Sequence, residues 1–102
     1  MKFKNMFSPI QIGPMTVKNR FVVPPMGNNF ANSDGTRSDE SVAYYGERAK
    51  GQFGLITIEA TVVHKGAKGG PKKPCLYDDN SIESLKKITD ACHAEGAKIS
   101  IQ

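Results

Sequence analysis

Residues 38–60, SDESVAYYGERAKGQFGLITIEA, place a helix and a strand back to back. Ser38 stands where a helix N-cap is needed, and Asp39 and Glu40 follow in the first turn, where the helix dipole favours acids. The apolar spacing predicts a helix running to about Lys50 that buries Val42, Tyr45 and Ala49, with Gly51 as its stop. Leu55-Ile56-Thr57-Ile58 is apolar and β-branched, with a weaker extension through Glu59-Ala60 to Thr61-Val62-Val63. A run of that kind suits a strand covered on both faces.

Upstream, Phe21-Val22-Val23 is a second apolar run. It ends at Pro24-Pro25, because proline has no N–H to donate to a sheet ladder. Residues 7–18 predict a hairpin: Ile10 and Ile12 alternate with Gln11, Gly13-Pro14 is turn chemistry, and Met15 and Val17 alternate with Thr16. Asn28 to Thr36 is a polar loop with an Asp34-Gly35 turn. Downstream, His64 to Tyr77 is a loop of Gly, Lys and Pro. Asn80 followed by Glu83 predicts a capped helix carrying Ile82, Leu85, Ile88 and Cys92, ended by Gly96. Lys98 to Gln102 then begins a third strand. Strands joined through helices imply a parallel α/β sheet with right-handed crossovers.

Composition narrows the function classes. The 102 residues carry a net charge of +4, with basic residues spread along the chain and no aromatic–basic interleaving, which argues against a nucleic-acid partner. No apolar run approaches the ~18 residues of a membrane span, and residues 1–7 have no signal-peptide core, so a soluble, cytoplasmic protein with no membrane partner is expected. Cys75 and Cys92 form no C-x-x-C pair and, with His64 and His93, no metal-ligand spacing. No metal site is expected. Two reduced thiols fit a cytosolic protein, and a single structural disulfide stays open as the alternative.

The third strand runs to Gln102 with no segment to cover its edge, whereas a whole (β/α)8 barrel takes about 250 residues. Residues 1–102 are therefore expected to be the truncated N-terminal portion of a TIM-barrel domain, a hairpin followed by about two and a half βα units. A small self-standing three-stranded α/β domain is the alternative.

Phe7-Ser8-Pro9-Ile10 with Ile12-Gly13, then Lys18-Asn19-Arg20, then Pro24-Pro25-Met26-Gly27, resembles the opening of the Old Yellow Enzyme family. The resemblance continues through Tyr44-Tyr45 to Arg48-Ala49, Gly54-Leu55-Ile56 to Glu59-Ala60, Tyr77-Asp78-Asp79, and Gly96-Ala97-Lys98 to Gln102. It is closest to the branch of 2,4-dienoyl-CoA reductases, NADH:flavin oxidoreductases and bile-acid-inducible enoate reductases. The resemblance implies FMN as cofactor and NAD(P)H as reductant, with hydride passing through FMN to an activated alkene of enoate or enoyl-CoA type. It also implies cofactor-binding roles for Pro24, Pro25, Met26 and Gly27 under the flavin ring, Ala60 beside it, and Gln102 hydrogen-bonding it. Strand C-terminal ends are where barrel enzymes place their sites, small residues let backbone approach a flat ring, and an amide both donates to and accepts from its pyrimidine edge.

Catalytic residues are expected beyond residue 102, as is any iron–sulfur cluster, which two scattered cysteines cannot build. The 102 residues alone are expected to bind FMN weakly or not at all and to be inactive. A self-standing, non-catalytic βα module that retains the family sequence is the alternative function. Some relatives carry a redox-tuning cysteine where Gly27 stands and a tyrosine near Asn29, so both positions point toward the dienoyl-CoA reductase branch. Lys65, Lys68, Lys72 and Lys73 suit either an anionic substrate such as an acyl-CoA or a solvated charge cluster. Structural roles are expected for Asn19, Arg20, Tyr44, Tyr45 and Glu59, and a solvated loop position for His64.

Overall fold

The computed structural model describes residues 2–102; Met1, the first residue of the expected barrel segment, lies outside them. A single helical turn, α1 (Lys4–Phe7), precedes an antiparallel hairpin of β1 (Ile10–Ile12) and β2 (Met15–Val17), with Ile10 opposite Val17 and Ile12 opposite Met15. Gly13 makes the turn at φ +55°, which glycine adopts at little cost. Arg20, on the segment leading out of the hairpin, donates from its guanidinium back to the carbonyls of Ser8 (3.3 Å) and Pro9 (3.2 Å).

The main sheet is parallel, in the order β3 (Val22–Val23), β4 (Leu55–Ile58), β5 (Lys98–Ile101). Val23 pairs with Ile56, and Ile56 with Ile99. β3 has two residues because Pro24 and Pro25 follow it at once. Between the strands lie α2 (Asp39–Lys50) and α3 (Ser81–His93), which pack on each other and on the sheet. Their shared core is Val23, Tyr45, Ala49, Ile56, Ile58, Ile88, Cys92 and Ala97. The opposite side of β4, with Leu55 and Thr57, is only half-buried, so the sheet is covered on one side where the sequence suggested two. Among the described residues, no helix is long and apolar enough to cross a membrane.

Ser38 caps α2 as its sequence predicts: its Oγ accepts the Ser41 N–H at 3.2 Å. Val42 is only partly buried, and Ser41 takes the buried place beside Tyr45 and Ala49. Three other expectations fail. The Asn80 side chain makes no cap bond, because its backbone is already helical (φ −59°) and its own N–H is held by Asp78 Oδ1 at 3.0 Å. Ile82, expected inside, is 59% exposed. Nor does β4 continue to Val63. Thr61 turns aside to donate its N–H to the Gln102 carbonyl at 2.8 Å, and Val62 forms an isolated parallel bridge with Cys75.

Both cysteines are free and buried. Cys92 lies wholly inside, its Sγ 3.7 Å from the Tyr45 carbonyl, and burial pushes its thiol up to about 11. A thiol whose folded pKa is raised contributes stability below its unfolded value of about 9, which is lost as pH rises through the folded value. The expected result is a thermal midpoint that falls between about pH 9 and pH 11, with a shallower fall for Cys92→Ala in the same scan.

Candidate functional site

Because the sheet is parallel, the segments that come after its strands emerge at one end: residues 24–27 after β3, Glu59-Ala60 after β4, and Gln102 after β5. Hydrogen bonds join them. The Gln102 N–H donates to the Ile58 carbonyl (3.2 Å), and the Gln102 carbonyl accepts from Thr61. The Asn28 N–H donates to Glu59 Oε2 at 3.1 Å. Pro25 is half-buried, while Pro24, Met26, Gly27, Ala60 and Gln102 are exposed.

Four of the six sequence-predicted residues divide between two cavities, and Pro25 and Gln102 line neither. Gly27 and Ala60 share one of about 440 Å³ with Asn29, Val63, Lys72 and Lys73. Pro24 and Met26 line a second, of about 420 Å³, with Val22, Arg48 and Phe53. Gln102 bonds through its backbone to Ile58 and Thr61, beside the first of these cavities, and is itself exposed. A Cβ placed on Gly27 would meet nothing within 4 Å, so the surface there is open to a flat group.

Beneath this end lies a polar network that the sequence did not disclose. Glu59 is 3% exposed and Arg37 5%. Arg37 Nη1 donates to Glu59 Oε1 at 3.0 Å, and Nη2 donates to Thr61 Oγ1 at 2.8 Å. The Tyr45 hydroxyl accepts the Glu59 N–H (3.0 Å) and the Asn28 Nδ2 (3.4 Å). Burial pulls the Arg37 guanidinium below its usual value while the Glu59 carboxylate opposes it. Burial likewise holds the Tyr45 phenol above its usual value, so the phenol stays protonated at neutral pH. Glu59 and Tyr45 thus have the structural roles expected of them. Arg37 was missed because it falls in an aperiodic polar loop; its one signal is a sign opposite to that of Glu59.

The remaining candidates are peripheral. His64 is exposed, and its Nδ1 accepts the Gly66 N–H at 3.0 Å to close a 3-10 turn over Lys65–Ala67. Lys68 donates to the Ser33 carbonyl at 2.6 Å, which leaves Lys72 and Lys73 as the loop lysines that reach the Gly27–Ala60 cavity.

A family model described as NADH:flavin oxidoreductase / NADH oxidase matches residues 5–102. The chain belongs to that family. The NADH:flavin oxidoreductase resemblance extends over nearly the whole chain. It is 39% identical over 101 residues to NADH oxidase of Thermoanaerobacter brockii, covering 98% of this chain and 16% of that protein. In structure it is similar to Old Yellow Enzyme from Pichia sp. AKU4542, with a TM-score of 0.89 and 36% identity over 96% of this chain and 25% of that one. It is also similar to 2-naphthoyl-CoA reductase, solved with 2-naphthoyl-CoA, at a TM-score of 0.92 and 35% identity over 97% of this chain and 15% of that one. The fold is therefore the corresponding portion of the Old Yellow Enzyme TIM barrel, and the chain spans a minor share of each relative's length.

Proposed function

We propose that residues 1–102 form one wall of the flavin site in an FMN-dependent oxidoreductase that uses NAD(P)H to reduce an activated alkene. The observation that carries this reading is the convergence of Gly27, Ala60 and Gln102 at the C-terminal end of one parallel sheet in a chain of this family. The residues fit the group. Gly27 and Ala60 present little more than backbone, the space above Gly27 is open, and Gln102 offers a free amide to a ring edge. Bound FMN would supply the hydride relay from the nicotinamide to the alkene. The protein's part here is to seat the ring, with Pro24, Pro25, Met26 and Gly27 beneath it, Ala60 beside it and Gln102 at its edge.

The substrate class favoured is an enoyl-CoA. Lys72 and Lys73 line the cavity that holds Gly27 and Ala60, where their charge would draw an anionic carrier. The similarity to a reductase solved with 2-naphthoyl-CoA supports the same choice.

Flavin titration tests the reading. The phosphate site of barrels commonly lies after strands seven and eight, which have no counterpart among these elements. The 102 residues alone are therefore expected to bind FMN weakly or not at all, and micromolar binding would overturn that part. In the full-length protein, Ala60→Leu is expected to weaken FMN binding at least about tenfold, because its side chain occupies the ring's approach. A full-length protein that purifies colourless and takes up no FMN would instead support the non-catalytic module.

A further inference from the structure

We infer that Glu59 is a positioning residue whose carboxylate fixes the spacing between the Gly27 and Ala60 segments, and so the seat of the ring; this rests on the proposed flavin reading. Past Val23 the β3 ladder cannot continue, because Pro24 and Pro25 carry no N–H. The Glu59 side chain takes over where the backbone fails. Its Oε2 accepts the N–H of Asn28, the residue after Gly27, while Glu59 itself precedes Ala60. One carboxylate therefore ties together the two smallest residues of the proposed seat.

The carboxylate is itself held on several sides. Arg37 Nη1 meets Oε1 at 3.0 Å, and Arg37 Nη2 meets Thr61 Oγ1, which in turn donates to the Glu59 carbonyl at 2.8 Å. The Tyr45 hydroxyl takes hydrogen bonds from both Glu59 N–H and Asn28 Nδ2, so it spans the same two segments from beneath. A buried ion pair is weak evidence of stabilisation by itself, since apolar replacement is often neutral. The specific content of this pair lies in the third bond, from Asn28, and that bond is what the experiment must isolate.

Two double variants of the full-length protein do so. Glu59→Leu with Arg37→Met removes both charges and the acceptor for Asn28. Glu59→Gln with Arg37→Gln removes both charges but keeps an amide oxygen for Asn28. The first is expected to weaken FMN binding at least about tenfold and to move the visible absorption maximum of the bound flavin. The second is expected to stay within roughly threefold of the wild type with the maximum unmoved. A first variant with wild-type circular dichroism, affinity and flavin spectrum overturns the inference and leaves the flavin reading standing. A wild type that binds no FMN overturns both. Should the first variant not fold, hydrogen exchange at the Asn28 amide of the flavin-free wild type decides. Strong protection supports the tie, and exchange at the rate of an open loop overturns it.

Discussion

Arg37→Met is expected to lower the unfolding free energy by about 3–5 kcal/mol, the largest stability loss anticipated for a single side chain here. The cause is what the substitution leaves behind. Glu59 is almost fully enclosed, and its Oε1 has Arg37 as its charged partner. Without the guanidinium, a buried carboxylate keeps the Asn28 N–H but has no positive charge to meet it. Adding Glu59→Gln should return more than half of the loss, because the carboxylate that lacked a partner is gone while an acceptor for Asn28 stays. Urea unfolding of the wild type, both singles and the double gives the coupling directly. A loss below about 1 kcal/mol for Arg37→Met would show that water reaches the pair in solution.

Gly54→Ala is expected to cost about 2–3 kcal/mol, although it adds one methyl group. A Cβ at that position would lie 2.7 Å from Asn19 Oδ1, 2.7 Å from Val17 Cγ1 and 2.9 Å from the Asn19 carbonyl. None of these neighbours is free to yield. Val17 is buried, and Asn19 is held by donating Nδ2 to the Gln52 carbonyl (2.7 Å) while its Oδ1 accepts the Phe21 N–H (3.1 Å). The glycine backbone is committed as well, donating to the Phe21 carbonyl and accepting from Lys98. This is where the N-terminal hairpin meets the starts of the strands, so the strain would spread to both. Gly27→Ala is the control: its Cβ meets nothing, and its effect on thermal unfolding should stay within about 0.5 kcal/mol. Equal losses for the two variants would mean that the crowding at Gly54 relaxes.

The features behind these effects differ in how plainly the sequence carries them. The α2 helix was legible because its cap, acidic first turn and closing glycine agree with its apolar period. The strands β4 and β5 were legible from β-branched runs set between helices. α1 was not, since one turn contains too few residues to show a period. The extension to Val63 fails because Thr61, Val62 and Val63 have strand propensity, yet propensity does not supply a partner. Thr61 pairs instead with Gln102, and Val62 with Pro74 and Cys75, and those pairings bend the chain away from the ladder. The candidate site was legible as three strand ends once the parallel order was read. Its division into two cavities was not, because that depends on which way the backbone turns after Pro25. Nor was the Arg37–Glu59 pair, whose members lie 22 residues apart with no repeat linking them.

The main sheet also keeps its strands side by side in the order in which they occur along the chain. After β3, each strand of this sheet pairs with the one translated just before it, with a helix made in between. A growing polypeptide can therefore dock every new strand onto one that already exists, without waiting for a distant part to be made. Short loop closures of this kind favour fast folding, and folding from the N-terminal end during synthesis runs in the same direction. The buried Arg37–Glu59 tie would then close as soon as β4 is laid down, before β5 arrives, so that the first two strand ends are set relative to each other while the rest is still being made.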